Sequence, residues 1–181
     1  MKLNYQIHNK KRNTYYSVAI PIGIFLIVWE IMLYRKTFID LYILFSIIFG
    51  VGLLATFLDL KNYQKTYSYR GYKSFLFALG TNLCIWGFTA CTVFMATNYY
   101  LGDSQTNLTT YQIVDRYSMT GSKNNRSKRT PAFKIKYDGK LKDIHFGHDY
   151  YENMNSFKYV ELETRQGLWN FDILINKKLK K

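Results

Sequence analysis

LYILFSIIFGVGLLATFL, residues 41 to 58, contains no charged side chain, and SFLFALGTNLCIWGFTACTVFMATNYYL, residues 74 to 101, contains none either. A hydrocarbon core of about 30 Å needs about 20 helical residues to cross it. Each stretch is therefore long enough to span, and helix is the form that satisfies every backbone group within one segment in lipid. A third apolar stretch, SVAIPIGIFLIVWEIMLY at 17 to 34, precedes them. The expected spans are 17 to 34, 38 to 58 and 74 to 100.

The mean hydropathy of the 181-residue chain, −0.19, resembles that of a soluble protein because two composition regimes are averaged. Apolar residues concentrate before Gly102, whereas from Leu108 onward polar and apolar residues alternate. The expected organisation is a basic N-terminal tail (1 to 16), a three-helix transmembrane domain (17 to 101), a linker (102 to 107) and a β-rich extracytoplasmic domain (108 to 181). Of the formal charge of +13, residues 1 to 101 carry ten Lys and Arg against three acids, and the remainder fifteen against nine. The Lys, Asn, Tyr, Ile and Phe bias, with only two Pro, points to AT-rich bacterial DNA.

Lys2, Lys10, Lys11 and Arg12 precede the first span as in a secretory signal. No small-x-small cleavage pattern follows it and Glu30 interrupts its apolar run, so the expectation is an uncleaved signal anchor. Four basic residues in the N-terminal tail and four in the 61 to 73 segment (Lys61, Lys65, Arg70, Lys73) stand against Arg35 and Lys36 between the first two spans. The positive-inside rule then puts the N-terminus in the cytoplasm and the C-terminal domain outside, in a multi-pass inner (plasma) membrane protein. Tyrosines at 15, 16, 34, 63, 67, 69, 72, 99 and 100 fall near span ends, where the headgroup region favours them. KNYQKTYSYRGYK, 61 to 73, reads as a loop lying on the anionic cytoplasmic leaflet.

Polar residues near the bilayer are few. Glu30 and Asp40 flank Arg35 and Lys36 and are expected to pair with them at the outer interface. Asp40 and Asp59 lie at opposite ends of one span, about 28 Å apart along a helix, which excludes an acid/base dyad within it. Asn82 is expected to hydrogen-bond to a neighbouring helix. Gly80, Cys84, Gly87 and Cys91 recur at helical spacing on the third span, with Ser46 and Gly50 on the second. Such small-residue faces are expected packing seams, within the bundle or between copies of the chain. Cys84 and Cys91, about 10 Å apart along a helix, are too distant for a disulfide.

Period-two alternation marks strands around Tyr111 to Tyr117, Phe133 to Tyr137, Leu141 to Phe146, Val160 to Leu162 and Trp169 to Ile175. Asp138-Gly139 is a two-residue hairpin signal, and Gln166-Gly167 is expected to turn the last pair. About five strands imply a small antiparallel sandwich or partly open barrel. GSKNNRSKRT, 121 to 130, reads as an exposed basic loop, and Lys177, Lys178, Lys180 and Lys181 as a solvated or lipid-touching tail. The one concentration of metal-ligand types, His145, His148 and Asp149, is too sparse to define a site. No catalytic triad, phosphate loop or nucleotide fingerprint is recognisable.

The fold class expected is thus a membrane α-helical bundle with a small C-terminal antiparallel β domain. The expected function is a non-enzymatic membrane protein serving as an accessory, sensing or assembly component of an envelope complex. Its expected partners are the lipid bilayer and a protein partner or second copy through the helix 2 and 3 seams. No catalytic residue, cofactor, metal or nucleic acid is assigned. The alternatives are an oligomeric transporter or channel-like protein and, third, a membrane enzyme.

Overall fold

The run at 41 to 58 lies inside a longer helix, α2 (Leu41–Tyr67), between α1 (Lys2–Tyr34) and α3 (Gly71–Asn82). A π-helical turn, Leu83–Gly87, joins α3 without a break to α4 (Phe88–Tyr100). In this computed structural model residues 2 to 67, 70 to 120 and 128 to 181 are described, with side chains from residue 12 onward. Three helices are long and apolar enough to cross a membrane: Arg12–Tyr34, Leu41–Tyr67 and Gly71–Tyr100. Residues 2 to 11 continue the first of them as helix.

The chain divides into two compact units, Met1–Gly102 with Gly167–Asp172, and Asp103–Gln166 with Ile173–Lys181. Within the first, the 61 to 73 segment is not a surface loop. Its first seven residues complete α2 and its last three begin α3, whose first residue, Gly71, takes a positive φ of 66°. Residues 68 and 69 lie outside the described residues. Tyr63 is buried, as is Tyr16, and these two rings meet at 5.6 Å while Tyr63 meets Tyr67 at 4.8 Å. These tyrosines form a core with Ala78 and Ile85 in place of the interfacial anchoring expected of Tyr16 and Tyr63. A second core joins Leu33, Ile39, Leu44, Ile48, Cys91 and Met95.

The π-turn explains why the expected small-residue face is not one face. Its extra residue rotates everything beyond it by about 100° relative to a continuous α-helix. Ser74, Ala78, Asn82 and Ile85 point inward before that shift takes effect, and Gly87, Cys91, Met95 and Asn98 after it. Gly80 is left exposed with nothing near its missing Cβ, and Ser46 and Gly50 on α2 are exposed too. Close approach involves Gly87 of that face and two glycines outside it. Gly23 of α1 lies against the carbonyl of Cys84, Gly52 of α2 against Leu83, and Gly87 against the carbonyl of Ile48. All three contacts converge on the π-turn or its end.

In the second unit the β strands make a five-stranded antiparallel sheet, in the spatial order β3-β2-β1-β4-β5. They are β1 (Thr106–Thr120), β2 (Arg129–Tyr137), β3 (Lys140–His145), β4 (Tyr159–Gln166) and β5 (Asp172–Lys180). The expectation of a small antiparallel β domain, as a sandwich or partly open barrel, is met at the level of the antiparallel sheet, whose ladder does not close. The long β1 is shared between partners: Thr106 to Gln112 pair with β4, and Ile113 to Thr120 pair with β2. The register shifts between Ile113 and Asp115, which leaves Val114 as an outward bulge residue and breaks the simple alternation expected there. Asp138 and Gly139, with φ of 45° and 78°, form the expected hairpin turn between β2 and β3.

Phe133, at the centre of the sheet's core, meets Phe146 edge-on at 5.5 Å, with Ile135, Ile144, Val160, Leu162 and Ile173 buried in the same unit. Residues 121 to 127 of the basic segment lie outside the described residues, and Arg129 and Thr130 belong to β2. The C-terminal lysines are not a loose tail. Lys177, Lys178 and Lys180 lie in β5; Lys180 pairs with the buried Glu161, and Lys177 donates to the carbonyl of His145. Glu161 therefore stays inside between Val160 and Leu162, contrary to the outward position alternation assigned it. The last strand begins only at Asp172, so Trp169 and Phe171 belong to the preceding turn.

Candidate functional site

Four groups of polar side chains have the burial or the partners that a functional site requires. The first lies where α1 and α2 run side by side. Arg12 donates to Asp59 Oδ1 at 2.5 Å and to the Tyr16 hydroxyl at 3.0 Å, and Tyr16 donates to Asp59 Oδ2. Both carboxylate oxygens are thus engaged. Arg12 and Tyr16 reach one partner because they are four apart on a helix and share a face. The Arg12 and Asp59 side chains are only 23% and 21% exposed, so this pair is more strongly felt than a surface bridge. Replacing Asp59 by Ala should destabilise the bundle by about 2 kcal/mol, below the roughly 3 to 5 kcal/mol expected for a fully buried pair. The double change Arg12→Leu with Asp59→Leu should recover most of that loss. Denaturation in zwitterionic detergent measures both, and additive losses would show that the two residues do not interact.

The second group is Glu30 with Cys91. Glu30, expected at the outer interface with Arg35 and Lys36, is instead 8% exposed and accepts from the Cys91 thiol at 3.0 Å; its Oε2 has no partner. The reason is helical phase: four residues beyond Leu26 and three before Leu33, position 30 lies on the inward side of α1, facing α4. A carboxyl beside a thiol is a hydrogen-bonded pair with no further catalytic partner in contact, and it names no reaction. Among the described residues no group of three or more His, Cys, Asp or Glu could hold a metal ion.

Asn82 is buried, but its amide donates to Ala78 of its own helix at 3.0 Å and its Oδ1 has no partner, so it does not make the interhelical bond expected of it. The residue that does tie separate segments together is Asn98, which no sequence pattern singled out. Fully buried near the end of α4, it donates from Nδ2 to the Phe171 carbonyl at 3.1 Å and accepts on Oδ1 from the Trp169 backbone N–H at 2.9 Å. Its own carbonyl accepts from Leu168 N–H at 3.3 Å. Trp169 stacks on Phe94 at 5.8 Å and donates from its indole to Thr97 at 3.0 Å. The turn of residues 167 to 172 is thereby latched within the helical unit.

In the sheet unit, His148 Nδ1 lies 2.9 Å from the Arg129 carbonyl, and His145 contributes its backbone carbonyl to Lys177. Asp149 lies in a short 3-10 turn, His148–Tyr150. These engagements are those of a folded turn. Lys177 also sits 5.1 Å from the Phe146 ring centroid, and burial pushes its ammonium below the ordinary lysine range. Comparison with protein-family models, curated proteins and solved structures finds no match for this chain.

Proposed function

We propose that the chain is a multi-pass membrane protein: three helices cross the bilayer, and the β domain is presented on the extracytoplasmic side as a non-enzymatic accessory, sensing or assembly component of an envelope complex. The observation that carries this reading is the outward surface of the helices. Phe25, Leu54 and Leu58 are 68%, 65% and 84% exposed, and Val28, Phe45, Phe49, Phe57 and Leu76 join them. An apolar surface of that extent is unfavourable in water and is solvated by lipid. The direction of insertion is supported by eight basic residues near the N-terminus and the α2 to α3 turn against two between α1 and α2. The excess of basic over acidic residues from Gly102 onward favours an interaction role for the β domain.

The expected result of alkaline carbonate extraction is that the protein stays with the membranes, and that a C-terminal reporter active only outside the cytoplasm gives signal. Release into the supernatant would remove the membrane assignment, and signal from a cytoplasm-only reporter would reverse the sidedness. Crosslinking in intact membranes should capture a protein partner.

A further inference from the structure

A groove of about 500 Å³ runs along the outside of the helical unit, lined by Val51, Leu54, Ala55 and Leu58 of α2, Trp86 of the π-turn and Tyr15 of α1. Asp59 closes one end, but its two oxygens are taken by Arg12 and Tyr16, so that end is polar without carrying an unmatched negative charge. On the same stripe of α2 the chain continues from Leu54 and Leu58 to Lys61 and Lys65, at steps of four, three and four residues. Both lysines are exposed. From Val51 to Lys61 is about 15 Å of helix. That is half of a hydrocarbon core of about 30 Å, the depth of one leaflet.

We propose that this groove seats one acyl chain of an anionic phospholipid of the cytoplasmic leaflet, with the lipid phosphate held by Lys61 and Lys65. The inference rests on the membrane reading above. An apolar furrow one leaflet deep, ending in ammonium groups at headgroup level, complements such an amphiphile in both shape and charge. A helix from a second copy fits less well. Its apolar side could cover the furrow, but it would bring no negative charge to the lysines.

The test uses the full-length chain with Trp29→Phe and Trp169→Phe, which leaves Trp86 as the sole indole; far-UV circular dichroism checks that it is folded. It is reconstituted into phosphatidylcholine vesicles containing a fixed minor fraction of tail-brominated lipid, either phosphatidylcholine or phosphatidylglycerol, and floated on a density gradient before fluorescence is read. The expected outcome is stronger quenching of Trp86 by the anionic lipid, corresponding to a preference of about fivefold for each lysine engaged. Lys61→Gln with Lys65→Gln should erase the preference while keeping the quenching. Equal quenching by the two brominated lipids in floated vesicles overturns the inference and leaves the membrane reading intact. Absence of quenching by either in floated vesicles also overturns it, and assigns the groove to a protein neighbour. Failure to float overturns the membrane reading itself.

Discussion

Gly23→Ala should cost the helical unit about 3 kcal/mol, at the upper end of the usual overpacking range, while Gly50→Ala, the same chemical change on the next helix, should be neutral or slightly stabilising. The difference lies in what the added methyl group meets. At Gly23 it meets the carbonyl of Cys84 in the π-turn, which is backbone and has no rotamer into which to withdraw. Relief then requires α1 to move away from the turn. At Gly50 no atom lies within 4 Å, so alanine contributes only its better helix propensity, up to about 1 kcal/mol. Denaturant midpoints of the purified variants in one detergent measure the contrast. Gly87→Ala should side with Gly23→Ala, because its methyl group would come 2.6 Å from the Ile48 carbonyl. Equal midpoints for Gly23→Ala and Gly50→Ala would mean that α1 does not pack on the π-turn as described.

The same contrast marks where sequence reading succeeds and where it stops. The three helices were legible because the requirement they meet is one-dimensional: a run of apolar residues long enough, with charge kept to its ends. Asp138-Gly139 was legible for a similar reason, since a two-residue turn with positive φ at both positions admits few residue types. A single continuous small-residue face on the third span was not legible, because helical spacing assumes a constant period of about 3.6 residues per turn, and the π-turn at Leu83–Gly87 adds one residue in the middle of that span. Gly80 therefore turns outward, while Gly87 and Cys91 stay buried inside the bundle.

Long-range pairing was hidden for a different reason. Arg12 and Asp59 are 47 residues apart, and Glu30 and Cys91 are 61 apart. A helix period places each side chain on a face, but which face meets which is decided only when the bundle packs. The same holds for the lysines of β5. Counted along the chain they are a basic tail, whereas the strand carries Lys180 to Glu161 and Lys177 to the end of β3. Seen from composition alone, the tyrosines at 16 and 63 belong at a headgroup boundary; in the fold each finds the other first.

Asn98 is the residue whose loss should be felt most widely in the first unit, since one side chain there satisfies two backbone groups of a segment more than 70 positions away. Asn98→Ala leaves the Trp169 N–H without a protein partner and takes from the Phe171 carbonyl one of its two donors, the other being the Gly167 N–H at 3.1 Å. At about 1 to 3 kcal/mol for the buried N–H left unpaired and about 1 kcal/mol for the bond lost to Phe171, the expected loss is about 2 to 4 kcal/mol. Asn98→Asp should be at least as damaging. It keeps an acceptor for Trp169, but it replaces the amide donor with an oxygen that faces the Phe171 carbonyl oxygen. Gln does not restore the geometry either, because Gly167 packs so closely on Asn98 that there is no room for another methylene. Trp169 reports the outcome. Released from Thr97 and from its stack on Phe94, its indole should become more accessible to acrylamide in Asn98→Ala than in the wild type. If the variant unfolded at the wild-type denaturant concentration with Trp169 equally shielded, the latch would have to be assigned to the aromatic stack, and Phe94→Ala would then carry the effect predicted for Asn98.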